Sequence, residues 1–300
     1  MSMIVLVGAI LLDQLIGEPK KWHPLIGFGW LAHHLEVFLN GDAKSFMRLR
    51  GVFAVSLLVI PITLIVVALQ NLLGLIVDFF VIYLAIGAKS LAQHGRRVIA
   101  ALRCDDIVQS RASVSRIVSR DCDAMNPPEI AAATIESLLE NGADAIFGVI
   151  FWYLVAGVPG VIVYRLVNTL DAMWGYRTAR YQTFGWFAAR LDDVMNWLPA
   201  RLTAISYAIA GNWRTGFYCW SAQAKLLESP NGGVVMSCGA GALGLKLGGP
   251  CFYHGQINQK CWFGQGATPC TGDIYRALDL VHESLFIWML VIVAGGLFFA

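Results

Sequence analysis

Apolar runs and short polar blocks alternate along the whole chain. The residues from Gly51 to Val77 carry no charge, a run longer than the roughly 20 residues a spanning helix needs. Asp78 interrupts, and Phe79 to Ala88 is apolar again. The pattern predicts either one long tilted helix or a tight hairpin turning near Gln70 and Asn71, with Pro61 kinking the first arm. A second uncharged run covers Ala145 to Tyr164. Gly157, Pro159 and Gly160 near its end predict a break, and so a discontinuous or re-entrant helix. Val194 to Trp213 is a weaker candidate because Arg201 lies inside it, and Ser284 to Ala300 is an apolar C-terminal segment. Met1 to Leu12 is apolar, lacks a basic flank and runs into Asp13. It predicts an uncleaved first membrane segment rather than a signal peptide. The expected fold is mainly α: a polytopic helical membrane protein with four to six membrane segments and helical or loop-rich extramembrane regions.

Between the runs, residues 89–144 predict a helical soluble segment. Val108 to Val118 has a roughly helical period, and Asn126, Pro127, Pro128 and Glu129 read as a helix start. The helix opened there carries Glu136, Glu140 and Asp144 at spacings of four, with Asn141 beside them. Each four-residue step turns only about 40°, so the three carboxylates are expected on one narrow face. Residues 165–193 and 214–283 are the other polar, site-forming segments of a single integral-membrane domain over 1–300. From 228 to 272 Gly, Pro, Asn and Cys replace the helical period, which predicts a loop-rich module. No internal repeat is visible.

Composition supports a membrane protein. Of 300 residues 57% are hydrophobic and 14% charged, against about 25% charged in soluble domains; mean hydropathy is +0.61. A net charge of +2 without a basic run argues against nucleic-acid binding. The 22 Lys and Arg are spread over all four long polar segments. The positive-inside rule would place all four in the cytoplasm, which requires hairpins or re-entrant pieces between them. Seven cysteines without a C-x-x-C pair argue against a disulfide framework or a structural zinc site.

The polar blocks hold the candidate chemistry. Like charges at four-residue spacing repel. A magnesium ion, which takes one or two carboxylates together with phosphate oxygens and water, would offset that; a solvated acidic face is the plainer alternative. Asp171, Arg177, Arg180, Asp192, Asp193 and Arg201 combine carboxylates with arginines suited to two-pronged capture of phosphate or carboxylate, or form ordinary ion pairs. Asp192 and Asn196 are one helical turn apart. The glycine-rich turns around Asn231–Gly233 and Gly248–Gly249 can offer backbone N–H groups to an anion, although no Walker A or G-x-G-x-x-G pattern occurs. His23 and His254 can bind a metal or move a proton, or simply shape a turn. No nucleophile elbow is present. The ten tryptophans suit interfacial belts, with some available to line a site for a large flat ligand.

In chain order these blocks are Asp13 with Gly17, Glu18, Pro19, His23 and Pro24; Glu136, Glu140, Asn141 and Asp144; Gly157, Pro159 and Gly160; Asn168, Asp171, Gly175, Tyr176 and Arg177; Arg190, Asp192, Asp193, Pro199 and Arg201; Ser229 and Asn231; and Gly248, Gly249, Pro250, Tyr253, His254 and Gly255. Together, nearly end to end, they resemble the adenosylcobinamide-phosphate synthase family of cobalamin biosynthesis, the CobD/CbiB type. The chain departs from the family's usual Asp at Glu18, its Ala at Gly232, and a proline common within 148–150. The resemblance implies an inner-membrane ligase with its site on the cytoplasmic side. It would join the carboxylate of adenosylcobyric acid to the amine of aminopropanol phosphate, or aminopropanol, using ATP and Mg2+.

Amide formation needs an activated carboxylate, hence metal and arginine against phosphate charge, and a base for the incoming ammonium. On this reading Glu136, Glu140 and Asp144 hold magnesium–ATP, with Asp171 or Asp192 and Asp193 as further carboxylates. Glu140 and Asp171 are also candidate catalytic groups. Arg177, Arg180 and Arg201 hold phosphates, and Asn141 and Asn231 flank the nucleotide. His23 or His254 moves the proton, and a Trp-rich membrane face seats the corrin ring. Membrane lipid, further copies of the chain and later cobalamin-pathway enzymes are the expected partners. Two other readings remain: a regulatory or sensory membrane protein of the AmpE type, and a corrinoid or small-solute transporter, which the broken helix favours and the scarcity of clean spans opposes.

Overall fold

Apolar length decides which helices can cross a bilayer. The computed structural model describes residues 2–19, 21–41, 46–253 and 256–298. Among these, four helical stretches are long and apolar enough to cross a membrane: Met47–Leu73, Leu75–Arg103, Pro127–Trp174 and Thr271–Gly296. The fold is mainly α, and the number of spans lies within the expected range.

The chain opens with α1 (Ser2–Ile16) and α2 (Pro24–Leu39), followed by α3 (Met47–Leu73) and α4 (Leu75–Ala85). The long run after Gly51 is therefore broken into two helices, just beyond Gln70 and Asn71. The turn falls at Gly74, whose φ of 59° and ψ of −135° belong to a region open to glycine alone. Gln70 Nε2 donates to Asp78 Oδ1 at 2.8 Å across this turn, which accounts for a carboxylate amid apolar sequence. Next come α5 (Ala88–Arg103), α6 (Ile107–Val114) and α7 (Pro127–Gly142). α7 starts as its sequence predicts. The Asn126 side chain accepts from the Glu129 N–H at 3.0 Å and the Glu129 carboxylate accepts from the Asn126 N–H at 2.8 Å, a reciprocal capping box.

A π-helical turn, Ala143–Phe147, follows α7. At this point the Tyr207 hydroxyl donates to the Leu139 carbonyl at 3.0 Å; a group inserted into the backbone ladder is a recognised setting for such widening. α8 (Gly148–Trp174) is interrupted at Gly157, with φ 61° and ψ −152°. The predicted discontinuous helix is thus present, and Pro159 sits where a helix restarts and no N–H is needed. α9 (Trp186–Met195) and α10 (Trp197–Ala210) divide the weak apolar run at Asn196 into pieces too short to span. α11 (Trp213–Gln223) and α12 (Gly232–Leu243) precede four short strands, β1 (Lys246–Gly248), β2 (Cys251–Tyr253), β3 (Gln256–Asn258) and β4 (Trp262–Gly264). β1 pairs antiparallel with β4, Lys246 opposite Gly264, and β2 with β3, Cys251 opposite Asn258. α13 (Thr271–Phe298) closes the chain.

One expectation is corrected here. The stretch 228–272 is not loop throughout, because α12 is a helix buried along nearly its whole length. Its Gly, Val, Ser and Cys residues propagate helix weakly in sequence terms, while its small residues let neighbours approach closely. The apolar C-terminal segment from Ser284 lies within a helix that begins at Thr271, where Asp273 and Arg276 pair at 2.7 Å in the first turn.

Packing divides the chain into two compact units, one formed by Met1–Gly87 with Gly148–Asn196 and the other by Ala88–Phe147 with Trp197–Ala300. In the first, α8 packs on α2, α3, α4 and α9, and α1 packs on α4; Leu6, Ile82, Tyr164, Trp174 and Phe184 are fully buried. In the second, α13 packs on α5, α7 and α10, and α12 on α10 and α11, around Ile99, Ile130, Leu138, Phe147 and Tyr207.

Replacing Gly157 by Ala forces a side chain into a glycine-only conformation. The variant should lose about 1–3 kcal/mol of stability, seen as a lower unfolding midpoint of the detergent-solubilised protein; an unchanged midpoint would show that the break relaxes into regular helix.

Candidate functional site

The expected face of three carboxylates is divided. Glu136 and Glu140 stand one turn apart on α7, but Asp144 falls in the π-helical turn, which shifts it out of the four-residue register. Glu136 is buried and ion-paired with Arg120. Its Oε1 also accepts from the Gly248 N–H at 2.8 Å. The glycine-rich turn does therefore capture an anion, and the anion is the protein's own Glu136. Asp144 instead adds to burial in pushing the Tyr207 phenol pKa upward. Among the described residues no group of three His, Cys, Asp or Glu side chains is placed to share a metal ion. The expectation of Glu136, Glu140 and Asp144 as joint ligands is corrected accordingly: Glu136 serves the fold. Asn141 does too, donating to the Ser137 carbonyl and hydroxyl at 3.0 and 2.9 Å.

Glu140 keeps different company. A Cβ placed on Gly232 would lie 2.3 Å from Glu140 Oε1, so this carboxylate rests against the first turn of α12. The departure from Ala at position 232 thus makes room for it. Beside it, Arg201 donates through Nη1 to Asn231 Oδ1 at 3.2 Å and to the Trp197 carbonyl at 2.6 Å. The guanidinium lies over the Trp197 ring, 4.3 Å from its centroid. Three predicted residues, Glu140, Arg201 and Asn231, therefore meet at the start of α12. The backbone there is not an open nest: Ser229 accepts the N–H groups of Gly232 and Gly233 at 2.9 Å each, through its hydroxyl and its carbonyl. A single carboxylate beside an arginine at a helix N-terminus fits magnesium bound mainly through phosphate oxygens and water.

The other predicted residues belong to the first unit. Asp192 is buried and accepts from Asn168 Nδ2 at 3.2 Å and from Asn196 Nδ2 at 3.0 Å. The Tyr164 hydroxyl completes the chain by donating to Asn196 Oδ1 at 2.9 Å. Burial lifts the Asp192 carboxyl above its ordinary value, against the pull of both amides. Its two oxygens are taken by these amides, so Asp192 anchors α9 to α8 rather than standing open as a ligand. Asp193 pairs with Arg190 at 3.1 Å. Burial raises its carboxyl, and Arg190 and Arg177 oppose the rise, which puts Arg177 in its neighbourhood. Asp171 rests over Gly175, where a Cβ would come within 2.1 Å of Oδ1.

Arg180 and His23 are reassigned. Arg180 makes a two-pronged pair with buried Glu36, Nε to Oε1 and Nη2 to Oε2 at 2.9 Å each. Asn40 donates to Glu36 Oε1 at 2.7 Å and to the Arg180 carbonyl at 3.0 Å. The expected phosphate ligand is thus a clasp between α2 and the segment after α8. His23 caps α2, its Nδ1 accepting from the Leu25 N–H at 3.2 Å while Nε2 lies 3.1 Å from the Leu84 carbonyl. Both ring nitrogens are engaged, so taking up a proton at Nδ1 would break the cap on α2. His254 lies outside the described residues. Sequence reasoning missed Glu36 and Arg120. Glu36 had a signal, because it extends the buried α2 stripe of Phe28 and Ala32 with a charged residue at the same spacing.

Asp192→Asn would set a third amide against the two that donate to Asp192. Stability should fall by about 1–3 kcal/mol. In the parent protein folded Asp192 holds its proton more tightly than the unfolded chain. Its contribution to stability therefore declines as pH climbs from the ordinary 3.8 to the raised value. That slope should vanish in the variant, as read from unfolding midpoints across pH.

A family model described as CobD/Cbib protein matches residues 6–281. The Cobalamin biosynthesis protein CobD of Stutzerimonas stutzeri (strain A1501) is 48% identical over 296 residues, 98% of each chain. That of Chromobacterium violaceum is 48% identical over 303 residues, 99% of this chain and 97% of its own. The protein of the same name from Mycobacterium tuberculosis (strain H37Rv) is 39% identical over 285 residues, 92% and 90% of the two chains. No solved structure is detectably similar.

Proposed function

This chain belongs to the CobD/Cbib family of cobalamin biosynthesis proteins, and from that premise we propose that it is an ATP-dependent amide ligase. The reaction would join the free carboxylate of adenosylcobyric acid to the amine of aminopropanol phosphate, or aminopropanol, at the cytoplasmic side of the inner membrane. The observation that carries the proposal within the molecule is the meeting of Glu140, Arg201 and Asn231 at the start of α12.

The chemistry assigns each group a task. The corrinoid carboxylate attacks the terminal phosphorus of ATP, giving an acyl phosphate and ADP. The amine then attacks the acyl carbon and expels inorganic phosphate. Mg2+, when bound, neutralises phosphate charge during the first step. Glu140 would hold that ion from one side, with phosphate oxygens and water supplying the rest. Arg201, kept in place by Asn231 and the Trp197 ring, would take a phosphate oxygen. The ammonium must lose a proton before attack; His254 keeps that role, because His23 is committed to the fold. The exposed tryptophans Trp197, Trp213 and Trp262 offer apolar surface for a corrin ring.

Membranes carrying the protein, supplied with adenosylcobyric acid, aminopropanol phosphate and Mg–ATP, should yield the amide and ADP by mass spectrometry. Product without ATP, or none with every substrate present, would refute the assignment. Glu140→Gln should lower turnover by at least about 100-fold while membrane insertion is unchanged; full turnover would remove Glu140 from the metal site.

A further inference from the structure

The arginine side chain has one preferred edge for oxyanions. Nε–H and Nη2–H point the same way, at the spacing of two oxygens on a carboxylate or phosphate. In Arg180 that edge is filled by Glu36, with both contacts at 2.9 Å. In Arg120 the guanidinium is taken by Glu136. Arg165 is different. Its Nη1 reaches only Asn168 Oδ1, at 3.5 Å, and its Nε is buried with no hydrogen-bond partner among the described residues.

Position makes the open edge unusual. Arg165 lies on α8 below the Gly157 break, in a helix otherwise apolar from Gly148 to Val167. A charged group among apolar helices is costly unless paired, and buried guanidinium N–H groups are seldom left without an acceptor. The helix also gives it an exit. Arg165, Asn168 and Thr169 share one stripe and are all partly exposed, whereas Tyr164, Leu166, Val167 and Leu170 are buried. The stripe is thus a partly exposed polar strip on an otherwise apolar helix. Asn168 holds the Nη1 side of the guanidinium while its own amide is committed to Asp192 at 3.2 Å. The Nε/Nη2 edge is therefore held in orientation and left without an acceptor. Asp192 is linked to Arg165 through Asn168 and makes no ion pair with it.

We propose that the Nε/Nη2 edge of Arg165 is a binding site for a phosphate group. A tetrahedral oxyanion presenting two oxygens matches that edge, and Arg165 lies on the partly exposed polar strip. Two sources have this chemistry: a soluble phosphate ester, and the headgroup of an anionic phospholipid. The site is independent of the ligase assignment, because occupancy needs no turnover.

The test is binding to the intact protein, purified in a maltoside detergent and stripped of lipid. Inorganic phosphate and phosphatidylglycerol are added separately, with sodium chloride at matched ionic strength as the control, and thermal unfolding is followed. The expected result is a midpoint rise of roughly 2–4 °C that is lost in Arg165→Gln. A response to inorganic phosphate assigns the site to soluble phosphate esters. A response to phosphatidylglycerol alone assigns it to lipid. No response to either, or an equal response in the variant, overturns the proposal. Arg165→Lys keeps the charge but not the paired edge, so it separates charge from geometry and stands in if the Gln variant does not fold. It should weaken the apparent affinity about tenfold. An inactive ligase whose phosphate response still depends on Arg165 would refute the reaction and leave this site intact.

Discussion

A carboxylate placed among apolar helices must find its donors inside the protein, and that requirement organises this molecule. Glu36, Glu136 and Asp192 are all buried, and each has at least one partner from another segment of the chain. Glu36 draws in Arg180 and Asn40, Glu136 draws in Arg120 and the Gly248 backbone, and Asp192 draws in Asn168 and Asn196. Helices too apolar to recognise one another by hydrophobic pattern are thereby given unique partners. Losing one member of such a set leaves a charge in a medium that cannot solvate it.

The same requirement gives polar residues that look alike in sequence different company. Glu136 and Glu140 look equivalent in sequence, one turn apart on α7. Glu136 is closed by an ion pair and a backbone amide, while Glu140 faces the start of a helix beside an arginine. Arg180 and Arg201 divide likewise: the first completes a clasp, and the second is held by an amide and a tryptophan ring at the edge of α12. Spacing alone does not tell such pairs apart, because the deciding partners, Arg120 and Glu36, come from other segments.

Much of the architecture was legible because its causes are local. Charge-free runs marked the long helices around Met47–Leu73 and Pro127–Trp174, Gly157 marked a break, and Asn126 with Glu129 marked the start of α7. What was not legible depends on tertiary contacts. α12 hides in a glycine-rich stretch because glycine and valine signal helix poorly and acquire it by packing. The π-helical turn after Gly142 depends on Tyr207, more than sixty residues away in the chain. Of the candidate site, Glu140, Arg201 and Asn231 were named from sequence and stand together, whereas His23 and Arg180 were named for chemistry and serve the fold.

The interleaved order of the two units bears on how the protein is made. The first is Met1–Gly87 with Gly148–Asn196, and the second is Ala88–Phe147 with Trp197–Ala300. Synthesis runs from the N-terminus, so α5 and α7 leave the ribosome before the helices they pack on, α12 and α13, exist. The first unit can close once Asn196 has emerged, but the second must wait for the end of the chain. Until then α7 carries Glu136 with Arg120 as its early neighbour, and Gly248 reaches it only later. A nascent chain stalled before α13 would expose an unfinished half, a natural substrate for membrane quality control.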